Sequence, residues 1–103
     1  MKELINFINE SKDLGIINNT KDKIIVWGLS SSEISFHLKV SSTSENQYKC
    51  YGAIYAGDDS EVDLVNISKI LNSEKEVINL IEDITKASTD ILKSIKGKRK
   101  YFN

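Results

Sequence analysis

Between Glu33 and Ser41, Ile34, Phe36, Leu38 and Val40 alternate without a break with Glu33, Ser35, His37 and Lys39. Successive side chains of a strand point to opposite faces, so this period of two specifies a strand with one face buried and one accessible. Everything else in the chain has to supply partners for it. At 103 residues the chain fits one domain that can bury a core without disulfides or metals. No repeat and no Pro- or Gly-rich linker divides it, which predicts a single domain over residues 1–97 followed by a basic tail over 98–103.

Two further segments read as strands. Ile24 to Leu29 is almost continuously apolar, and Gln47 to Ala56 is rich in Tyr, Cys and Ile. Glu61 to Leu71 fits a strand through Val62 and Leu64, but a helix through Val65, Ile67, Ile70 and Leu71. Leu4, Ile5, Phe7 and Ile8 suit an amphipathic helix from Lys2 to Leu14, with Gly15 to end it. Near the other end, Ser73-Glu74-Lys75-Glu76 has the form of a capping box, in which Ser73 accepts from the Glu76 amide and Glu76 reaches back to the Ser73 amide. Val77, Ile81, Ile84, Ile91 and Ile95 then keep one apolar stripe, interrupted by Ser88, as far as Gly97. A helix of that span is about 35 Å long, so it either projects or breaks near Ser88-Thr89-Asp90. The expected fold is α+β: an N-terminal helix, a three- to four-stranded antiparallel sheet, and a long or broken C-terminal helix packed on one sheet face.

Register decides which residues share a face. Placing Leu38 opposite Cys50, Phe36 opposite Gly52, Ile34 opposite Ile54 and Val40 opposite Tyr48 joins the apolar positions of two strands. Trp27 opposite Ile34 and Ile25 opposite Phe36 would extend that face. The other face then carries Ile24, Val26, Ser35, His37, Lys39, Lys49, Tyr51 and Tyr55. Cys50 points inward and His37 outward in this arrangement, which leaves no Cys–His nucleophilic pair.

Other chemistries fail on composition or spacing. One His and one Cys cannot build a zinc centre without help from carboxylates. The acidic run Asp58-Asp59-Ser60-Glu61-Val62-Asp63, aligned as a calcium loop from Asp59, has Leu64 where glycine and Ile70 where glutamate belong. Gly15, Gly28, Gly52, Gly57 and Gly97 are too scattered for a phosphate-cradling loop, and no nucleophile elbow surrounds a serine. Lys49-Cys50-Tyr51-Gly52-Ala53-Ile54-Tyr55 shares its aromatics with the central motif of RNA recognition modules. It departs at Cys50, Ala53 and Ala56, and the chain opens with a helix rather than that module's first strand. No cofactor is expected.

Charge is divided along the chain. Residues 1–90 hold all fifteen carboxylates against nine lysines, whereas residues 91–103 hold Lys93, Lys96, Lys98, Arg99 and Lys100 with no acid. No apolar run is long enough to cross a membrane. Glu3, Glu10 and Asp13 argue against a secretory leader, and a lone cysteine fits a reducing compartment, so a cytoplasmic location is expected. Thirteen Lys to one Arg, fifteen Ile, nine Asn and no Pro reflect AT-rich codons, as in a low-GC bacterium or its phages.

These observations predict a non-enzymatic protein-binding module, such as a phage or mobile-element inhibitor of a host nucleic-acid enzyme of the anti-CRISPR or anti-restriction type. Its expected contact residues are Asp58, Asp59, Glu61, Asp63, Tyr51 and Tyr55. The alternative is a nucleic-acid-binding accessory protein that uses Lys49, Lys96, Lys98, Arg99 and Lys100 with the aromatic sheet face. The C-terminal helix is a candidate contact for a homo-oligomer.

Overall fold

A computed structural model describes residues 1–29, 33–43, 46–56 and 62–102, with side chains described up to residue 95. Helix α1 (Lys2–Glu10) leads into strands β1 (Leu14–Asn19), β2 (Lys23–Leu29), β3 (Ile34–Ser42), β4 (Tyr48–Ala56) and β5 (Val62–Leu71), and helix α2 (Glu74–Phe102) closes the chain. The strands form one antiparallel meander in the order β1-β2-β3-β4-β5. Both helices pack on the same face, and the core between them is built from Leu4 and Ile8 of α1, Ile24 and Val26 of β2, the four alternating residues of β3, Cys50 and Ile54 of β4, and Val77, Ile81 and Ile84 of α2.

The sheet has five strands rather than three or four. Helix α1 stops at Glu10, where Ser11 turns extended, and its hydroxyl donates to the Phe7 carbonyl at 2.8 Å. Leu14 packs against the core from a strand, not as the last residue of the helical stripe. Gly15 is therefore a strand residue, and a Cβ there would collide with the Trp27 indole. Residues 62–71 are the fifth strand. It stands at the sheet edge with Val62, Leu64, Val65 and Ile70 exposed. A register shift opposite Ile54 and Tyr55 breaks its regularity, and Lys69, paired with Cys50, places a charge on the helix side. Both features hinder the pairing of an exposed edge with other chains.

Register differs from expectation in two ways. Between β3 and β4 the pairs are Ile34 with Ala56, Phe36 with Ile54, Leu38 with Gly52 and Val40 with Cys50, a slide of two residues. An even slide leaves every side chain on its expected face, so the hydrophobic pattern cannot detect it. Between β2 and β3 the slide is odd: Ile24 meets Val40, Val26 meets Leu38 and Gly28 meets Phe36. Ile24 and Val26 are consequently fully buried, and Trp27 turns outward. Gly28 fits this register, because its missing side chain leaves the space that the Phe36 ring fills and an added Cβ would run into that ring.

Helix α2 neither breaks at Ser88 nor stops at Gly97. Ser88 is fully buried and donates to the Ile84 carbonyl at 2.8 Å, with Thr85 and Thr89 bonded likewise to Ile81 and Thr85. Hydroxyls that bond back within the helix do not serve as N-caps. At 29 residues the helix is about 43 Å long, which accounts for a molecule 52 Å in its longest dimension and only 24 × 22 Å across. Among the described residues no helix is long and apolar enough to cross a membrane. At its start, Ser73 accepts from the Glu76 amide at 3.2 Å as expected, but the Glu76 carboxylate returns to the Asn72 amide, at 3.0 Å, rather than to that of Ser73.

Glu74 ties the two helices together. Its carboxylate accepts from the Leu4 amide at 3.0 Å and pairs with the Met1 ammonium at 3.0 Å. Burial alone would raise its pKa, but the amide bond and the ammonium outweigh burial and hold it below the ordinary glutamate value. Such a group stabilises the fold fully above the usual carboxylate range, and the contribution is lost as pH falls through the folded-state pKa. Glu74→Gln is expected to cost about 1–2 kcal/mol at neutral pH. In urea unfolding the gap from wild type should narrow as pH falls below the ordinary glutamate range and through the lowered folded-state pKa; a gap independent of pH would contradict this assignment.

Candidate functional site: the uncovered sheet face

Because both helices lie on one side, no helix or strand among the described residues covers the opposite face of the sheet. The pairings arrange its side chains in rows across the strands. Lys23, Ser41, Lys49 and Ile70 form one row, and Ile25, Lys39, Tyr51 and Ser68 the next. Trp27, His37, Ala53 and Asn66 follow, and Leu29, Ser35, Tyr55 and Asp63 complete the face. Rows two residues apart are separated by about 7 Å along the strands. The first two rows hold three lysines and no carboxylate, while Asp63 sits in the last.

Exposure along these rows is uneven. Ile17 is 56% exposed, Tyr51 50%, Leu29 41% and Trp27 37%, whereas Tyr55 is only 3% exposed. Tyr55 therefore forms the floor of this face rather than a surface contact. Its hydroxyl lies 3.2 Å from Nε2 of His37, and the two rings tilt at 49° with centroids 5.1 Å apart. Above this pair Ile17, Trp27, Leu29 and Ser35 enclose a shallow recess of about 330 Å³. Gly15 allows the wall to form, since its missing side chain leaves the space that the Trp27 indole fills.

At the lysine end, Nζ of Lys39 lies 5.3 Å from the centroid of the Tyr51 ring. A hydrogen bond and the charge of Lys39 lower the Tyr51 pKa, and the same bond raises that of Lys39. Lys23 also contributes to the depression of Tyr51, which places the three groups in one electrostatic cluster.

No protein-family model, curated protein or solved structure matches this chain.

Of the residues expected to bind, Tyr51 and Lys49 lie together on the bare face, both exposed. Asp63 is exposed at the far end, opposite Tyr55. Asp58, Asp59 and Glu61 lie outside the described residues. Lys96, Lys98, Arg99 and Lys100 lie on the helical backbone of α2, and their side chains are outside the description. Cys50 is buried on the helix side, and burial pushes its thiol up to about 11, so it is protonated at neutral pH.

Sequence reasoning missed Trp27 because the odd slide between β2 and β3 exchanges the faces of β2. A usable signal was present: Ile24, Val26 and Gly28 share one parity, and glycine is the natural neighbour for a large ring. Ile17 and Leu29 were missed with it, one in an unrecognised strand and the other on a misassigned face.

Proposed function

We propose that this chain is a non-enzymatic protein-binding module that docks through the uncovered sheet face. The observation that carries the reading is the exposure of Trp27, Leu29, Ile17 and Tyr51 on the side that neither helix covers. Large aromatic and aliphatic side chains around a recess supply most of the energy in protein interfaces, and a polar rim excludes water. The finer proposal, an inhibitor of a host nucleic-acid enzyme carried by a phage or mobile element, draws its support from the short chain and its AT-rich composition. Nucleic-acid binding is the competing proposal, favoured by the grouping of Lys23, Lys39 and Lys49 beside Tyr51.

A paired substitution tests the docking role. Trp27→Ala with Leu29→Ser removes the apolar wall, and neither residue belongs to the buried core cluster. It is expected to weaken partner capture by roughly 30-fold or more, the loss of a hot spot. Quantitative affinity purification from a low-GC bacterial extract would measure this, with Glu82→Gln on the exposed side of α2 as control. Equal recovery of the same proteins by wild type and the paired variant would refute the proposal.

A further inference from the structure

Resting on that docking role, we infer that the partner contributes an extended acidic segment with a single apolar anchor. The anchor enters the recess between Trp27 and Leu29, and its carboxylates meet Lys39 and then Lys23 or Lys49. Alternate side chains of an extended peptide repeat about every 7 Å, the same interval as the rows of this face. An anchor at the Trp27 row therefore sets the second residue beyond it over Lys39, and the fourth over the row that holds Lys23 and Lys49. Charge complementarity fixes the direction, because the cationic rows lie on one side of the recess and Asp63 on the other.

The same layout disfavours a nucleic-acid strand. Phosphates running the length of the face would pass from the lysines toward the carboxylate of Asp63 in the last row. A strand confined to the lysine half would find one exposed aromatic, Tyr51, and Lys39 is already seated over its ring. Base stacking needs an open ring face.

The test uses the full chain, labelled with nitrogen-15, and four probes at moderate salt. The first is a Gly-Ser-flanked peptide of pattern Leu-Ser-Glu-Ser-Glu. The second replaces Leu by Ala, the third replaces each Glu by Gln, and the fourth is a twelve-nucleotide oligothymidine. The first peptide is expected to shift the Trp27 indole and the Lys39 and Tyr51 amides and to saturate. The Ala and Gln peptides should each bind roughly tenfold more weakly, for the lost anchor and the lost charges respectively. Lys23→Gln with Lys49→Gln, both exposed positions, should weaken the first peptide by a similar factor and leave the Gln peptide unchanged. The inference is overturned if the Ala or Gln peptide matches the first, if oligothymidine binds more tightly, or if the first peptide leaves these resonances unmoved. The last result would remove the acidic anchored segment alone, since the docking role is judged separately by the Trp27 and Leu29 variant in partner capture.

Discussion

Gly52→Val is expected to yield no stably folded protein. Gly52 stands in β4 opposite Leu38, and an added Cβ would meet the main-chain carbonyl of His37. A flexible side chain can step aside, but this obstacle is the backbone of the central strand, hydrogen-bonded to neighbours on both sides. Relief requires β3 to move away from β4 or β4 to shift its pairing, and either change disturbs Phe36, Leu38 and Val40 together. Overpacking in a rigid core costs about 1–3 kcal/mol, and displacement of a central strand adds to it. A loss above about 4 kcal/mol is a large share of the stability of a domain of this size. Circular dichroism and thermal melting of Gly52→Ala and Gly52→Val would measure the effect. A valine variant whose Tm falls by less than about 5 °C would show that the strands can relax.

Phe36→Ala is expected to be nearly as damaging for the opposite reason. Phe36 is 1% exposed and is among the largest fully buried side chains of the core. Loss of a buried phenylalanine ring costs about 3–5 kcal/mol, with the spread set by how well the surroundings collapse. Collapse is poor here, because Gly28 opposite the ring has no side chain to lean into the gap. The Tm should drop by at least about 12 °C. A double-mutant cycle separates shared space from simple burial: Gly28→Ala should destabilise the wild type, yet cost less or even stabilise in the Phe36→Ala background. Additive effects would mean that the two positions do not share the space.

What the sequence disclosed, and what it withheld, follows from which signals are local. The alternation of β3 and the Ser73 cap act within a few residues, and both appear in the structure. β1 was hidden because Leu14 continues the apolar stripe of α1 by chance, and the residues after it, Gly-Ile-Ile-Asn-Asn, do not alternate. β5 was ambiguous because an edge strand, mostly exposed on both faces, has little reason to alternate. Ser88 suggested a break only because a polar residue in an apolar stripe looks unsatisfied, whereas its bond to the Ile84 carbonyl satisfies it without leaving the helix.

The candidate site followed the same rule. Parity between β3 and β4 survived a slide of two, so Lys49 and Tyr51 were legible as outward. Parity between β2 and β3 does not survive a slide of three, which turns Trp27 from the core side that the pattern predicts to the open face. The pair of Gly28 with Phe36 fits only the observed parity, and it is a contact between strands rather than a pattern within one.

The length of α2 sets how far apart the basic regions of this molecule stand. Its start is held to α1 through Glu74, next to the end of the sheet that carries Lys23 and Lys49. Thr85 and Thr89 lie beside Leu14 and Leu29, at the other end. Past Ile95 the backbone that bears Lys96, Lys98, Arg99 and Lys100 continues beyond the sheet for another seven residues, to Phe102. The lysines of the open face and the cationic end of the helix are thus separated by most of the length of a rod about 43 Å long and lie on opposite sides of the sheet. A substitution that neutralises one of these basic stretches therefore changes the field at one end of the molecule and leaves the other, several screening lengths away, as it was.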